Sequence, residues 1–135
     1  MLAAPGAAVP TPTCIVRLLA TRGDDILTIV RDDGQGLDIP SARVGDSPVE
    51  EALAALVLSA LGAPQPATLL GYVKNVVTEP ADDYPWPVPD AHFAVWHIRA
   101  ERSLSGRWLP AHAARRELGE RHWWPLAAHV LGIAC

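Results

Sequence analysis

A run of alanine, leucine, valine and one serine, residues 52–61, constrains the fold of this chain more than any other feature. Ser47 and Glu50 precede the run with the spacing of a capping box, and Pro48 is placed for the first helical position. Gly62 follows the run and is a typical helix-ending residue. The pattern predicts a helix that begins after Ser47 as its N-cap and ends at Gly62.

Beyond its first turn this helix carries one polar residue, Ser59. A surface helix normally shows a polar stripe, whereas a helix that is apolar on every side is normally buried. We therefore expect one face to pack on a sheet and the other face to be covered by a second copy of the chain. The alternative is that residues 103–116 or the N-terminal segment fold over it. The pattern does not say whether Leu56 or Leu58 points outward.

Segments of strand composition flank the helix on both sides. Strands are predicted at residues 13–21, 26–30, 37–39, 42–44, 67–77, 92–100 and 121–124. Residues 103–116 are predicted to be irregular or partly helical, and residues 125–131 to form a closing helix. This order predicts an α/β (α+β) fold, an α/β/α sandwich with a mixed central sheet, one main helix and a C-terminal helix.

The length of 135 residues fits a single domain, which we assign to residues 13–135 after a flexible tail at residues 1–12. The tail lacks a positively charged segment, so it does not have the pattern of a signal peptide. Cys14 and Cys135 are far apart in the sequence and are expected to be free thiols in a reducing, cytoplasmic environment.

Charge and hydropathy argue against two classes of partner. The net charge is -4, Lys74 is the one lysine, and no basic cluster is present, so we expect no nucleic-acid partner. No apolar run has the length of a membrane span, so we expect no membrane partner. The frequent alanine, proline and arginine residues are typical of a GC-rich, bacterial genome.

Four segments together resemble the Nudix (MutT-like) superfamily. They are the strand that ends at Arg31, the box entry Leu37-Asp38-Ile39-Pro40, the turn Gly45-Asp46-Ser47-Pro48 before a helix ending at Gly62, and Arg121-His122-Trp123-Trp124-Pro125-Leu126. The resemblance covers residues 13–131. It implies the Nudix fold and a pyrophosphohydrolase, in which helical glutamates hold Mg²⁺ against a pyrophosphate.

The helix departs from the family pattern at its carboxylates. Counting back from Gly62 places the family's Glu-Glu pair on Ser59 and Ala60, and counting forward from Asp46 gives no carboxylates either. No register restores them, because residues 52–61 contain no acid. Mg²⁺ requires oxygen ligands. The resemblance therefore implies a Nudix box without its usual metal site.

Other acids are candidates for the missing roles. Glu50 and Glu51 lie in the first helical turn, where a cap or the helix dipole explains them without a metal. Asp46 and Glu51 are the candidate metal ligands. Glu117 and Glu120 precede the predicted last strand, where some Nudix enzymes place a catalytic base, and are the candidate catalytic residues. Charged residues in such a loop are more often merely solvated.

The segment Tyr84-Pro85-Trp86-Pro87-Val88-Pro89 is stiffened by prolines and carries two aromatic rings. It is either a stacking platform for a flat ligand or a loop that packs on the core of its own domain. The candidate ligand-binding residues are Arg31, Tyr84, Trp86 and Trp124. The five histidines share no metal-ligand spacing, and no cofactor is expected.

Two functions remain open. The first is a Nudix-superfamily domain that has lost ordinary hydrolysis and acts as a ligand-binding, regulatory or interaction module, with a nucleotide-like ligand and a candidate homodimer. The second is a divergent but active hydrolase of a nucleoside diphosphate derivative. The second would require Mg²⁺ held by Asp46, Glu51, Glu117 or Glu120.

Overall fold

The computed structural model describes residues 2–3, 9, 11–31, 33–34, 36–77, 79, 81–82, 85–86 and 90–132. In chain order the elements are β1 Leu2–Ala3, β2 Thr13–Arg22, β3 Asp25–Val30, β4 Leu37–Asp38, β5 Ser41–Arg43, α1 Val49–Leu61, β6 Thr68–Val76, β7 Asp90–Arg99, β8 Arg107–Pro110, α2 Ala111–Leu118 and α3 Trp124–Leu131. Among these residues, no helix has the length and apolar content needed to cross a membrane.

The strands form a mixed sheet in the order β1-β6-β7-β2-β3-β4. Strand β5 pairs with β2, and β8 pairs with β3. The central pair, β2 and β7, is parallel, whereas β6–β7 and β2–β3 are antiparallel. The predicted fold class, with a mixed sheet between helices, is confirmed.

Helix α1 covers one face of the sheet because the side chains of β2 alternate between the two faces. Val16, Leu18 and Ala20 are fully buried on the α1 side. From the helix, Leu56 and Val57 pack against them, together with Ala60 and Leu61. This cluster is the first of two cores.

The second core lies on the opposite face of the sheet, under α2 and α3. Leu19 of β2 and Val95 of β7 are fully buried there. The turn between the two helices contributes Trp123 to this core. The helices contribute Ala114, Leu118, Trp124, Leu126, Ala127 and Ala128. The sheet is therefore enclosed between helices on both faces.

The ends of α1 confirm the predicted stop and correct the predicted start. Gly62 is the C-cap in a left-handed conformation with φ 84°, and its N–H donates to the Leu58 carbonyl. At the other end the N-cap is Pro48, with ψ 147°, and no side-chain cap bond forms. Because Pro48 is still extended, Ser47 lies one residue outside the cap. The predicted capping box of Ser47 and Glu50 is wrong.

The strand predicted at residues 121–124 is also wrong. The N–H of Arg121 donates to the Leu118 carbonyl at 2.9 Å, and the N–H of Trp124 donates to the Arg121 carbonyl at 3.0 Å. These local bonds make two successive turns that lead into α3, and the segment pairs with no strand in the described residues. The aromatic residues that suggested a strand are buried beside the helices instead.

Two further segments differ from expectation. Residues 103–116 contain the strand β8, which was not predicted, before the helical part that was. Within the tail predicted to be flexible, Leu2–Ala3 pair antiparallel with β6, opposite Val73 and Tyr72. The sheet therefore extends into the N-terminal segment.

The outer face of α1 is not covered by the described part of the chain. Leu56 is 7% exposed, whereas Leu58 is 50% exposed, which assigns Leu58 to the outward face. Leu104 approaches the C-terminal end of the helix, where its N–H donates to the Ala60 carbonyl at 2.8 Å. This contact leaves Ala54, Ala55 and Leu58 exposed. Intramolecular cover by residues 103–116, one alternative to a dimer, is thus limited to the helix end. Most of the N-terminal segment, the other alternative, lies outside the described residues.

Candidate functional site

The candidate site is a pocket of about 330 Å³ on the sheet face opposite α1. Its floor comes from the side chains of β2, β6 and β7 that alternate away from α1. Its walls come from β3, β4, the segment before β7 and the turn between α2 and α3. The lining residues are Ile15, Arg17, Arg31, Asp38, Val73, Trp86, Phe93, Glu120, Arg121, His122 and Trp123.

Three arginines face this pocket in different bonding states. Arg31 forms an ion pair with Asp33, with Nη2 and Oδ2 3.1 Å apart. Arg121 donates from Nη2 to the carbonyl of Leu37 at 2.7 Å. The Nε of Arg17 is buried and has no hydrogen-bond partner in the described part of the chain. Among the three, Arg17 is therefore the guanidinium with a buried donor that has no partner in the described residues.

The electrostatic surroundings of Arg17 are unfavourable to its charge. Burial lowers the pKa of Arg17 from its ordinary value, and the charges of Arg121 and Arg31 lower it further. Asp38 opposes this shift of the pKa. One oxygen of that carboxylate already accepts a hydrogen bond from the N–H of Ile39 at 2.8 Å. An anion entering the pocket would relieve the repulsion among the guanidiniums.

Aromatic rings form the second chemical element of the pocket. Trp86 is half-buried and meets the Phe93 ring edge-on, with centroids 5.5 Å apart. The guanidinium of Arg43 lies over the Trp86 ring at 4.7 Å, and that of Arg17 lies 5.9 Å from the Phe93 centroid. Two rings in contact thus lie between two guanidiniums, an arrangement suited to a ligand that is both anionic and aromatic.

A second cavity, of about 400 Å³, adjoins the pocket and shares Ile15, Arg31 and Asp38 with it. Through Ser41 and Arg43 it continues into a groove of about 600 Å³ between β5 and α1. The pocket adjoins the cavity, and the cavity adjoins the groove, so the three form a continuous series from the sheet to the main helix.

The groove lacks the donors that a magnesium site requires. Its helical side is lined by one carboxylate, Glu51, followed by Ala52, Ala55, Leu56 and Ser59. No group of three or more His, Cys, Asp or Glu side chains with metal-binding geometry occurs in the described residues. One carboxylate and a hydroxyl do not make an octahedral oxygen cage. The donor set does not fit the metal that the resemblance implies.

The structure brings together three of the predicted site residues: Arg31, Trp86 and Glu120 all line the pocket. Trp124 is packed in the second core and does not line the pocket; the neighbouring Trp123 is packed in the same core and does line it. Tyr84, the remaining ligand-binding candidate, lies outside the described residues.

The other predicted acids are distributed around the domain. Glu51 lines the groove, Asp46 is exposed in the turn before α1, and Glu117 is exposed on α2. None of these three lines the pocket that contains Glu120. The structure therefore does not gather the candidate acids into one site.

Sequence reasoning missed Arg17, Asp38 and Arg121 as pocket residues. A signal was present for Arg17, since it interrupts an apolar strand at a position that alternation assigns to the covered face. No comparable signal marked Arg121, because its place depends on the turn between two helices.

Among the histidines, His92 is buried, His97 is half-buried, and His112, His122 and His129 are exposed. His92 is 7% exposed, and its Nδ1 lies 2.8 Å from the Pro12 carbonyl oxygen. His97 pairs through Nε2 with the Thr21 hydroxyl at 2.8 Å. Burial, and then the charge of Arg99, lower the pKa of His97 from its ordinary value. Cys14 is a free, buried thiol, and Cys135 lies outside the described residues.

The sheet, the three helices and the position of the cleft define a Nudix-like fold, that of the Nudix/MutT pyrophosphohydrolases. No family model matches the sequence. A comparison with curated proteins finds no match either.

Solved structures carry the likeness. The Bacillus subtilis pyrophosphohydrolase BsRppH is similar over 98% of this chain and 89% of its own, with a TM-score of 0.65 and 15% identity. The MutT protein from Bacillus halodurans is similar over 87% and 80%, with a TM-score of 0.61 and 13% identity. The E. coli dihydroneopterin triphosphate pyrophosphohydrolase is similar over 87% and 91%, with a TM-score of 0.55 and 16% identity. At these identities the likeness concerns the fold.

Proposed function

We propose that this protein is a Nudix-fold module that binds a nucleotide-like ligand and has lost metal-dependent pyrophosphohydrolysis. The observation that carries the proposal is the groove beside α1, where Glu51 is the one carboxylate on the helical side and alanine, leucine and serine follow it. A fold alone does not define a function, so the argument depends on this donor set. Metal ions in such displacements need carboxylates to hold them.

The pocket supports the binding half of the proposal. Guanidiniums recognise phosphate and carboxylate oxygens, and aromatic rings accept flat groups. Arg17, Arg31 and Arg121 provide the first kind of contact, and Trp86 and Phe93 provide the second. A nucleotide combines both kinds of group in one molecule. The bound module would then act in regulation or in interaction with a partner.

A divergent hydrolase is the second candidate, and one observation favours it. Glu120 lines the pocket, and Glu51 lines the groove that adjoins it through the second cavity. Such an enzyme would act on a nucleoside diphosphate derivative and would need Mg²⁺. The two acids lie in different parts of the cleft, and they form no metal-binding cluster with a third ligand among the described residues.

The experiment that separates the candidates combines turnover with binding. The full chain is incubated with nucleoside triphosphates, ADP-ribose and dinucleoside polyphosphates in Mg²⁺ or Mn²⁺, beside a metal-free blank. Thermal shift is recorded with the same compounds. We expect ligand-induced stabilisation without turnover above the blank. Metal-dependent turnover that Glu51→Gln or Glu120→Gln abolishes would establish the hydrolase instead.

A further inference from the structure

We infer that Arg17 fixes the orientation of the ligand: its guanidinium takes an anionic group, a phosphate or a carboxylate, at the floor of the pocket, and the flat part of the ligand lies toward Trp86. This inference rests on the proposed binding function. It adds the class of ligand, a small monoanion or dianion joined to a flat ring system, and the residue that selects it.

Arg17 differs from the two neighbouring arginines in its hydrogen bonding. Arg31 is paired with Asp33 and Arg121 is bonded to a backbone carbonyl, so both have partners without a ligand. The Nε of Arg17 has none in the described residues, although it is buried. A buried donor without a partner is uncommon in folded proteins and calls for a specific explanation, which a bound anion would provide.

Charge in the pocket also singles out Arg17. Arg31 is paired with Asp33, and Asp38 and Glu120 are the two acids of the lining. Burial on the sheet makes the surroundings of Arg17 unfavourable to its charge, and Asp38, which counteracts this effect, already accepts a backbone hydrogen bond. A bound anion would supply the hydrogen-bond acceptor that Arg17 lacks and a negative charge beside its guanidinium.

The size of the pocket and the order of its contacts limit the ligand. A volume of about 330 Å³ is at the small end for ligand sites, and suits one acidic group with one ring system. Phe93 lies between Arg17 and Trp86 in the sequence of ring contacts along the wall. The acidic group and the ring of such a ligand would therefore meet Arg17 and Trp86 respectively.

The test uses the full chain and four kinds of probe: inorganic phosphate, purine nucleoside 5′-monophosphates, the matching nucleosides, and benzoate as an aromatic carboxylate. Affinities are measured by calorimetry for the native chain and for Arg17→Met, Arg17→Lys and Arg115→Met. Arg115 is an exposed arginine of α2 outside the pocket and serves as the matched control. Phosphate and benzoate separate the two sources of the anionic group.

We expect the monophosphates to bind the native chain at least about tenfold more tightly than the nucleosides, a difference of about 1.4 kcal/mol. Arg17→Met should abolish that preference, Arg17→Lys should keep part of it, and Arg115→Met should keep all of it. Arg17→Met should also raise the thermal midpoint of the ligand-free protein, because it removes a buried unpaired donor. A merely structural arginine would lower that midpoint when replaced.

The outcomes distinguish this inference from the function on which it depends. If no probe binds the native chain, the proposed ligand-binding function fails. If nucleosides and monophosphates bind equally well, or if Arg17→Met keeps the preference, binding stands and the role of Arg17 is refuted. An Arg17→Met chain that is less stable or fails to fold also overturns the inference, because it makes Arg17 a structural residue.

Discussion

The guanidinium of Arg43 lies 4.7 Å from the centroid of the Trp86 ring and thereby joins β5 to the segment that precedes β7. A second pair of the same kind, Arg22 over Trp108 at 4.6 Å, lies away from the candidate pocket. The two pairs have the same chemistry in different places. They therefore allow an effect on ligand binding to be separated from an effect on packing.

Replacing Trp86 by alanine should weaken nucleotide binding, because stacked aromatic rings contribute about 1–3 kcal/mol per base. Calorimetry with a nucleoside 5′-monophosphate measures the loss. Trp108→Ala removes a tryptophan with the same kind of arginine contact and should leave the affinity unchanged. Equal losses in the two variants would show that Trp86 acts through stability and not as part of the pocket wall.

Substitutions on α1 should separate its two faces. Leu56→Glu places a charge in the first core and should lower the free energy of unfolding by about 3 kcal/mol or more. Leu58→Glu changes a residue that is exposed in the single chain, so at concentrations low enough for the chain to be monomeric it should alter the free energy of unfolding by less than about 0.5 kcal/mol. Urea denaturation measures both. A large loss at Leu58 would mean that its side chain is covered in solution.

Light scattering tests whether a second copy of the chain provides that cover. An apolar helix face is commonly buried in a two-fold interface. We therefore expect the native chain to be dimeric at micromolar concentration and Leu58→Glu to be a soluble monomer. A native chain that stays monomeric at all concentrations would refute the dimer.

The stability of the domain should depend on the protonation of His97. Because burial and Arg99 hold its pKa below the ordinary value of 6.5, the unfolded chain binds the proton more readily than the folded chain does. The contribution of neutral His97 to stability is therefore present above about pH 6.5 and is lost as the pH falls below that value.

Replacing His97 by glutamine should flatten the pH dependence of the urea midpoint between about pH 5 and pH 7. His129→Gln is the control, because His129 is exposed on α3. The prediction is wrong if the two variants have the same slope of midpoint against pH.

Gly106 should be a critical residue for the attachment of β8. Its φ is +82°, and a Cβ at this position would lie 2.5 Å from the carbonyl oxygen of Thr28 on β3. Gly23 has φ +58° but open space around it. Gly23→Ala should therefore cost about 1 kcal/mol of unfolding free energy, and Gly106→Ala about 2 kcal/mol or more. Equal costs in chemical denaturation would show that the predicted clash with the Thr28 carbonyl oxygen does not contribute.

The sequence predicted those elements whose signals are local. The apolar run before Gly62 predicted α1, and strand composition predicted β2 and β7, because both signals are set within a few residues. Strand β8 was missed because its pairing partner, β3, lies about 80 residues away along the chain, as in the bond from the Thr28 hydroxyl to the Arg107 carbonyl. A contact of that range leaves no mark in a short window.

The candidate site was predicted in part for the same reason. Trp86 stands out within a proline-rich segment, and Arg31 ends a clear strand, so both could be identified from their neighbours. Arg121 reaches the pocket only because two turns after α2 direct it toward Leu37. The choice between Trp123 and Trp124 likewise depends on how α3 packs, which adjacent identical residues cannot reveal.

Because side chains alternate along β2, this one strand contributes to two separate surfaces. Leu18 faces α1, which carries no carboxylate after Glu51. Arg17, the next residue toward the N-terminus, faces the pocket. Substitutions could therefore accumulate along α1 without altering the chemistry on the other side of the sheet. Loss of cation binding at α1 would therefore leave the ligand-recognition surface around Arg17 unchanged.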